Sequence, residues 1–234
     1  MPKIKVKGPI ISSDDQWIYD YFDIEATSPG KVEKAIEEAN GQDLEVDINS
    51  SGGSVFAGSE IYTMLKSYKG NVTTRIVGLA ASAASVIAMA GKKVLMSPTA
   101  QMMIHNVSAY SEGDYRDMDH TSAILKNANK TIASAYKIKS GMSEDELLTM
   151  MDAETWLTAE KALEHKLIDG VMFSDEFNLV ASAKSPMLPA EVVNKIRNMR
   201  DLFNPPDNKV DFLMQQTSKA KLELLKLKGV GEYE

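Results

Sequence analysis

Val72-Thr-Thr-Arg-Ile-Val-Gly-Leu-Ala-Ala-Ser-Ala-Ala-Ser-Val-Ile-Ala-Met-Ala90 is the stretch from which the architecture is read. Its first residues, Val72–Val77, are rich in β-branched side chains, which predicts a strand. From Ala81 to Ala90 almost every residue is small or apolar, which predicts a buried helix. A strand running straight into a buried helix is a unit of α/β architecture. Ser82 stands at the junction, among small residues where a backbone can turn sharply and a short side chain can stay exposed.

Working outward, the same alternation recurs. Lys3–Ile11 alternates polar and apolar residues and reads as a strand. Pro29–Ala39 places Val32, Ala35, Ile36 and Ala39 at helical spacing. Leu44–Ile48 is a short strand that ends in Asn49-Ser-Ser-Gly-Gly53. Ala57–Ser67 reads as a helix, and Lys93–Met96 and Gln101–His105 as two further strands. Asp114–Gly141 carries no turn signal and predicts one long helix. Ser143 and Glu146 form a capping-box pattern at the start of the next. Thr158 opens a third, with acid in its first turn, and Ile168–Phe173 closes as a strand. The expected division is a domain over 1–182, then a linker around Pro186 and Pro189 and an amphipathic helical tail within 183–234.

Bulk composition narrows the function classes. The chain has 234 residues, 44% hydrophobic and 25% charged, ordinary values for a globular protein. A net charge of −7 gives no support to nucleic-acid binding. There is no cysteine, so no thiol nucleophile, disulfide or thiolate metal site is available. The N-terminus lacks the apolar core of a signal peptide. The longest apolar run, Ile76–Gly91, falls short of the roughly 20 residues a membrane span needs. The expectation is a cytoplasmic protein without membrane, metal or cofactor.

The chemistry rests on few side chains. A serine hydroxyl needs a base to take its proton, and only three histidines are present. His120 lies in a polar helical stretch, and His165 is expected on the open face of a helix. His105 ends an apolar strand, in Met102-Met-Ile-His-Asn106. Two serines compete, since Ser85 lies one turn beyond Ser82 and is expected to pack inside. Ser82, at the helix entry, stands where the dipole favours developing negative charge. The glycines of Asn49-Ser-Ser-Gly-Gly53 make a turn whose bare N–H groups could hold an oxyanion.

In this order Gly52-Gly53, Gly78-Leu-Ala-Ala-Ser82 and Met103-Ile-His105 resemble the ClpP serine peptidase family, from about Ile4 to Phe173. The resemblance implies a ClpP/crotonase-type β-β-α superhelical α/β fold with a protruding handle helix over Asp114–Gly141. It implies hydrolysis of peptide bonds with Ser82 as nucleophile and His105 as base. The oxyanion hole is implied at the backbone N–H groups of Gly53 and Ala83. The family's aspartate position maps to Glu154, with Asp152 two residues earlier as the alternative acid. Ser51 replaces the usual proline, so the turn is expected to be looser. A homo-oligomeric ring, hexameric or heptameric and possibly stacked, follows from the same resemblance.

The segment by which ATPase-coupled members dock is almost absent before Ile4, and no phosphate-binding Gly-x-x-x-x-Gly-Lys loop occurs. The chain therefore looks like the shorter phage and prophage members, many tied to head maturation. That implies ATP-independent cleavage, with a capsid or scaffold protein as a candidate partner. Three other readings stand beside it. One is a catalytically silent assembly protein on the same fold. Another is a crotonase-type acyl-CoA enzyme. The last is a Ser–Lys peptidase using Lys92 or Lys93, which a helix rise of 1.5 Å per residue places about 15 Å from Ser82, too far to act.

Overall fold

A computed structural model describes residues 1–174. The elements run β1 (Lys3–Lys7), α1 (Gln16–Tyr21), α2 (Pro29–Glu38), β2 (Leu44–Ser50), α3 (Val55–Ser67), β3 (Val72–Ala81), α4 (Ala83–Ala88), β4 (Lys93–Met96), β5 (Gln101–Ile104), α5 (Tyr115–Ser140), α6 (Glu144–Asp152), β6 (Thr155–Leu157), α7 (Ala159–Glu164) and β7 (Gly170–Val171). The expected linker and tail helix lie outside the described residues.

The sheet has the order β1-β2-β3-β4-β7, with each neighbouring pair parallel. Period-2 alternation sets its two faces. Ile4, Val6, Leu44, Val46, Ile48, Val72, Ile76, Val94 and Met96 are all buried in the core. The opposite face is polar, where Arg75 reaches Glu45 at 3.0 Å and Asp47 at 3.1 Å, and Lys3 reaches Glu45 at 3.2 Å. A parallel sheet is usually apolar on both faces, and here ion pairs replace the second apolar layer. Ile76 is wholly buried, so truncating it to alanine should cost about 2–5 kcal/mol.

β3 is the spine of the site. Thr73–Ile76 pairs with β4 on the same edge where Leu79–Ala81 pairs with β5. Its register against β2 slips between Ile48 and Ser50, a bulge around Gly78. The Asn49 side chain fills that bulge, its Oδ1 accepting from the Leu79 N–H at 3.0 Å. A Cβ on Gly78 would stand 2.5 Å from that oxygen, so any other residue would displace the Asn49 side chain from the bulge. The strand expected to stop at Val77 therefore continues to Ala81.

Residues 81–90 do not make one helix. α4 has six residues and begins at Ala83. It ends where the Ala88 carbonyl accepts from the buried Thr74 hydroxyl at 2.8 Å. The same oxygen, one of the terminal carbonyls beyond the i+4 ladder, also accepts from the Gly91 N–H at 3.3 Å. The first strand also stops early, at Lys7, and Gly8 turns with φ +65°. The last strand shrinks to Gly170–Val171.

The long helix is α5, 26 residues from Tyr115 to Ser140. Asp114 and Asp117 form a reciprocal capping box at its start, and Gly141 ends it in the left-handed region at φ 75°. Its last turns are buried at Ile132, Ala133, Ala135 and Tyr136, while Met118 and Ile124 nearer its start are exposed.

Candidate active site

Ser82 occupies the sharp corner between β3 and α4. Its φ is 54° and its ψ −128°, a sparsely populated region that costs on the order of 1–3 kcal/mol and persists only where surroundings enforce it. They do so on both sides. The Ser82 N–H donates to the Met103 carbonyl at 3.0 Å, which ties the corner to β5. The Ser82 carbonyl accepts from the Ser85 N–H at 2.9 Å and from the Ser85 hydroxyl at 2.6 Å. The Ser82 hydroxyl caps no helix amide. Ser85 is fully buried, as its place one turn deeper implied.

The Gly52-Gly53 turn lies against this corner. A Cβ on Gly52 would stand 2.7 Å from both the Ala81 carbonyl oxygen and the Ser82 Cβ, and 3.0 Å from the Ala83 nitrogen. Gly52 and Gly53 have φ values of 95° and 149°. The Ser50 hydroxyl props the turn, donating to the Gly8 carbonyl at 2.6 Å and accepting from the Gly52 N–H at 3.1 Å. Ile10 bridges to the turn through the Gly52 carbonyl and the Ser54 N–H. That pattern leaves the Gly53 N–H out of the bridge. The Ala83 N–H is the first amide of α4, a group that helix geometry leaves without an intrahelical acceptor. Both amides implied for the oxyanion hole thus have no ladder or helix role, and Gly52, next to Gly53 in the chain, lies against the Ser82 corner. Ser51 is exposed, and the turn around it is held by Ser50 and Ile10.

His105 is the first residue after β5 and is half-buried. It shares a narrow pocket with Ser82, walled by Val55, Val86, Val107 and Ile132, which leaves ≈ 10 Å³ of free space. A wider groove of ≈ 430 Å³ adjoins it through Asn106 and Val107, with Met118, Leu125 and Asn129 of α5 on its far side. His120 is exposed on α5. His165 is half-buried and follows the last residue of α7 as its C-cap, so it is not on an open helix face.

The two carboxylates part ways. β6 pairs antiparallel with β5 in the register Met102↔Leu157, Met103↔Trp156 and Ile104↔Thr155. Continued one step, that register would bring Glu154 to His105, but the pairing ends at Ile104↔Thr155 and Glu154 lies in the turn before β6. Glu154 is exposed, with φ 46°, and its Oε1 accepts a long 3.4 Å bond from Trp156 Nε1. Asp152 at the end of α6 is occupied elsewhere, accepting from Asn106 Nδ2 at 2.7 Å. The amide faces it through nitrogen because a carboxylate only accepts. Asn106 and β6 were missed in the sequence, and a three-residue strand offers too little periodicity to be found there. Among the described residues, no group of three or more His, Asp or Glu side chains is placed to hold a metal ion.

Comparison with known proteins adds a family to this geometry. A family model described as Clp protease matches residues 34–175, which covers the Gly52-Gly53 turn, Ser82, His105 and Glu154. The ATP-dependent Clp protease proteolytic subunit of Bacteroides fragilis (strain ATCC 25285) is 35% identical over 134 residues, 56% of this chain and 65% of that relative. Subunit 1 from Chlamydia abortus is 36% identical over 139 residues, 57% of this chain and 72% of its own length. Subunit 1 from Chlamydia muridarum is 34% identical over 156 residues, 64% of this chain and 75% of its own. The chain thus spans just under two thirds of the Bacteroides relative.

Proposed function

The chain belongs to the Clp protease family, and on that premise we propose that it is a serine endopeptidase in which Ser82 attacks the scissile carbonyl. The observation that carries this is the enforced left-handed corner at Ser82, which presents a hydroxyl to the pocket it shares with His105. His105 takes the hydroxyl proton and later returns it to the leaving amine. The N–H groups of Gly53 and Ala83 stabilise the oxyanion of the tetrahedral intermediate. Glu154, in the turn before β6, orients the imidazole and stabilises its cation. The substrate chain runs along the groove between Asn106–Val107 and α5.

Fluorophosphonate labelling with peptide mapping tests this. Ser82 should be the modified residue, and Ser82→Ala should lose both the label and at least about 10³-fold in peptidase rate. An adduct on Ser85, or activity surviving Ser82→Ala, overturns the proposal.

Three finer readings belong to the same proposal. Exposed Met118 and Ile124 on the first half of α5 supply apolar surface for a homo-oligomeric ring, read by light scattering. Cleavage of unfolded protein proceeds without nucleotide, supported by a sequence with no phosphate-binding loop of its own; strong stimulation by ATP and an unfoldase would refute it. A capsid or scaffold protein as natural substrate rests on the resemblance to phage-encoded members alone. No helix among the described residues is long and apolar enough to cross a membrane.

A further inference from the structure

We infer that Ser85 and Tyr136 are positioning residues: a buried pair of hydroxyls, running from α5 to the carbonyl of Ser82, that sets the geometry of the nucleophile. This rests on the peptidase reading of Ser82. The Ser85 hydroxyl donates to the Ser82 carbonyl at 2.6 Å. Its single proton is then committed, so its 2.8 Å contact with the Tyr136 hydroxyl makes Tyr136 the donor. The order is therefore Tyr136 to Ser85 to Ser82. Both side chains are completely buried. Burial raises the Tyr136 hydroxyl far above its ordinary value, so it keeps its proton and its donor role.

Position explains why this chain matters more than an ordinary core contact. Ser82 has a backbone conformation that a non-glycine residue adopts only under constraint. Its carbonyl is the atom whose direction fixes ψ at that corner, and ψ sets where the Ala83 N–H points. A Ser85 hydroxyl held in one rotamer by Tyr136 locks the carbonyl, and so aligns the Ala83 amide and the Ser82 hydroxyl together. A small-residue helix needs no hydroxyl at residue 85 for packing, since alanine would fill nearly the same space. Tyr136 comes from the buried end of α5, 51 residues away in sequence, so the long helix is tied directly to the catalytic corner.

The test uses the full chain with Ser85→Ala, Tyr136→Phe and the double variant, each assayed for fluorophosphonate labelling of Ser82, kcat and KM on a fluorogenic peptide, and thermal midpoint. Ser85→Ala leaves the buried Tyr136 hydroxyl without its partner, whereas Tyr136→Phe leaves Ser85 its bond to the Ser82 carbonyl; the double change removes both hydroxyls and should recover most of the stability lost in Ser85→Ala. A positioning role predicts that labelling rate and kcat stay depressed in the double variant, by roughly ten- to a hundred-fold as for misplacements of about an ångström, with KM unchanged. Labelling and kcat that return to wild type together with the midpoint would show a merely structural pair and overturn the inference. A wild-type chain that is not labelled at Ser82 would instead remove the peptidase reading, and the positioning role with it.

Discussion

The backbone of Ser82 is held by its neighbours before and behind, whereas around Glu154 the chain lies open. The Ser82 amide and carbonyl are both partnered, the Gly52-Gly53 turn presses on its Cβ, and Ser85 and Tyr136 sit beneath it. Glu154 is exposed, and its one side-chain bond is the long contact from Trp156. The contrast suggests unequal tolerance. The nucleophile and oxyanion amides demand a fixed backbone, because their hydrogen bonds must already be in place when charge develops. An orienting carboxylate in water works through a screened charge and can be approximate.

The most damaging way to probe this contrast is to add a single methyl group to the closed side. Gly52→Ala would place a Cβ against backbone atoms of Ala81 and Ala83, where no flexible side chain can yield. Labelling of Ser82 should fall by at least about 10²-fold, and a labelling rate near wild type would show the corner to be less rigid than its contacts imply.

The open side should respond less. Glu154→Gln should reduce kcat/KM by about 10-fold, well below the ~10⁴ that a buried triad acid commands. Asp152→Asn, which keeps a side chain able to accept from Asn106, should fall by less than Glu154→Gln. Should the two carboxylate variants rank the other way, Asp152 is the acid and the strand register has misled.

The smallest effect concerns the entry of α6, the helix that leads to Asp152 and Glu154. The Ser143 hydroxyl and N–H donate to the Glu146 carboxylate at 2.6 and 3.0 Å. These bonds, the hydroxyl's foremost, hold the Glu146 carboxyl below its ordinary value. A lowered native value means the unfolded chain binds the proton more readily, so the contribution is complete above the ordinary carboxylate range and lost as pH falls through the native value. Urea midpoints measured across acid pH should show a shallower decline in Glu146→Gln than in wild type. Because this carboxylate is fully exposed, the difference should be slight, and identical slopes would show that the cap carries no pH dependence.

What could be read beforehand divides along the distance between interacting residues. The cap of α6 was legible because Ser143 and Glu146 lie three residues apart; Asp114 and Asp117, which cap α5 at the same spacing, emerged only from the structure. The Gly52-Gly53 turn, Ser82 and His105 were legible as residue types in a recognisable order. The length of β3 was not, because Gly78 reads as a break until Asn49, 29 residues earlier in the chain, fills the bulge. The start of α4 was misplaced by two residues, since small residues favour no particular corner and the left-handed bend at Ser82 is imposed by its neighbours.

The sequence alone thus determined the class of chemistry and the elements legible from near neighbours: a serine at a helix entry, a histidine at a strand end, a glycine turn and one long helix over Asp114–Gly141. Tertiary structure alone decided that Ser85 supports Ser82 from below, that Asp152 is occupied by Asn106, and that β6 pairs with β5 up to Ile104, next to His105. Each of these is a contact or register across the fold, and residue type states only what a side chain can donate or accept, not which distant partner the packed chain will bring to it.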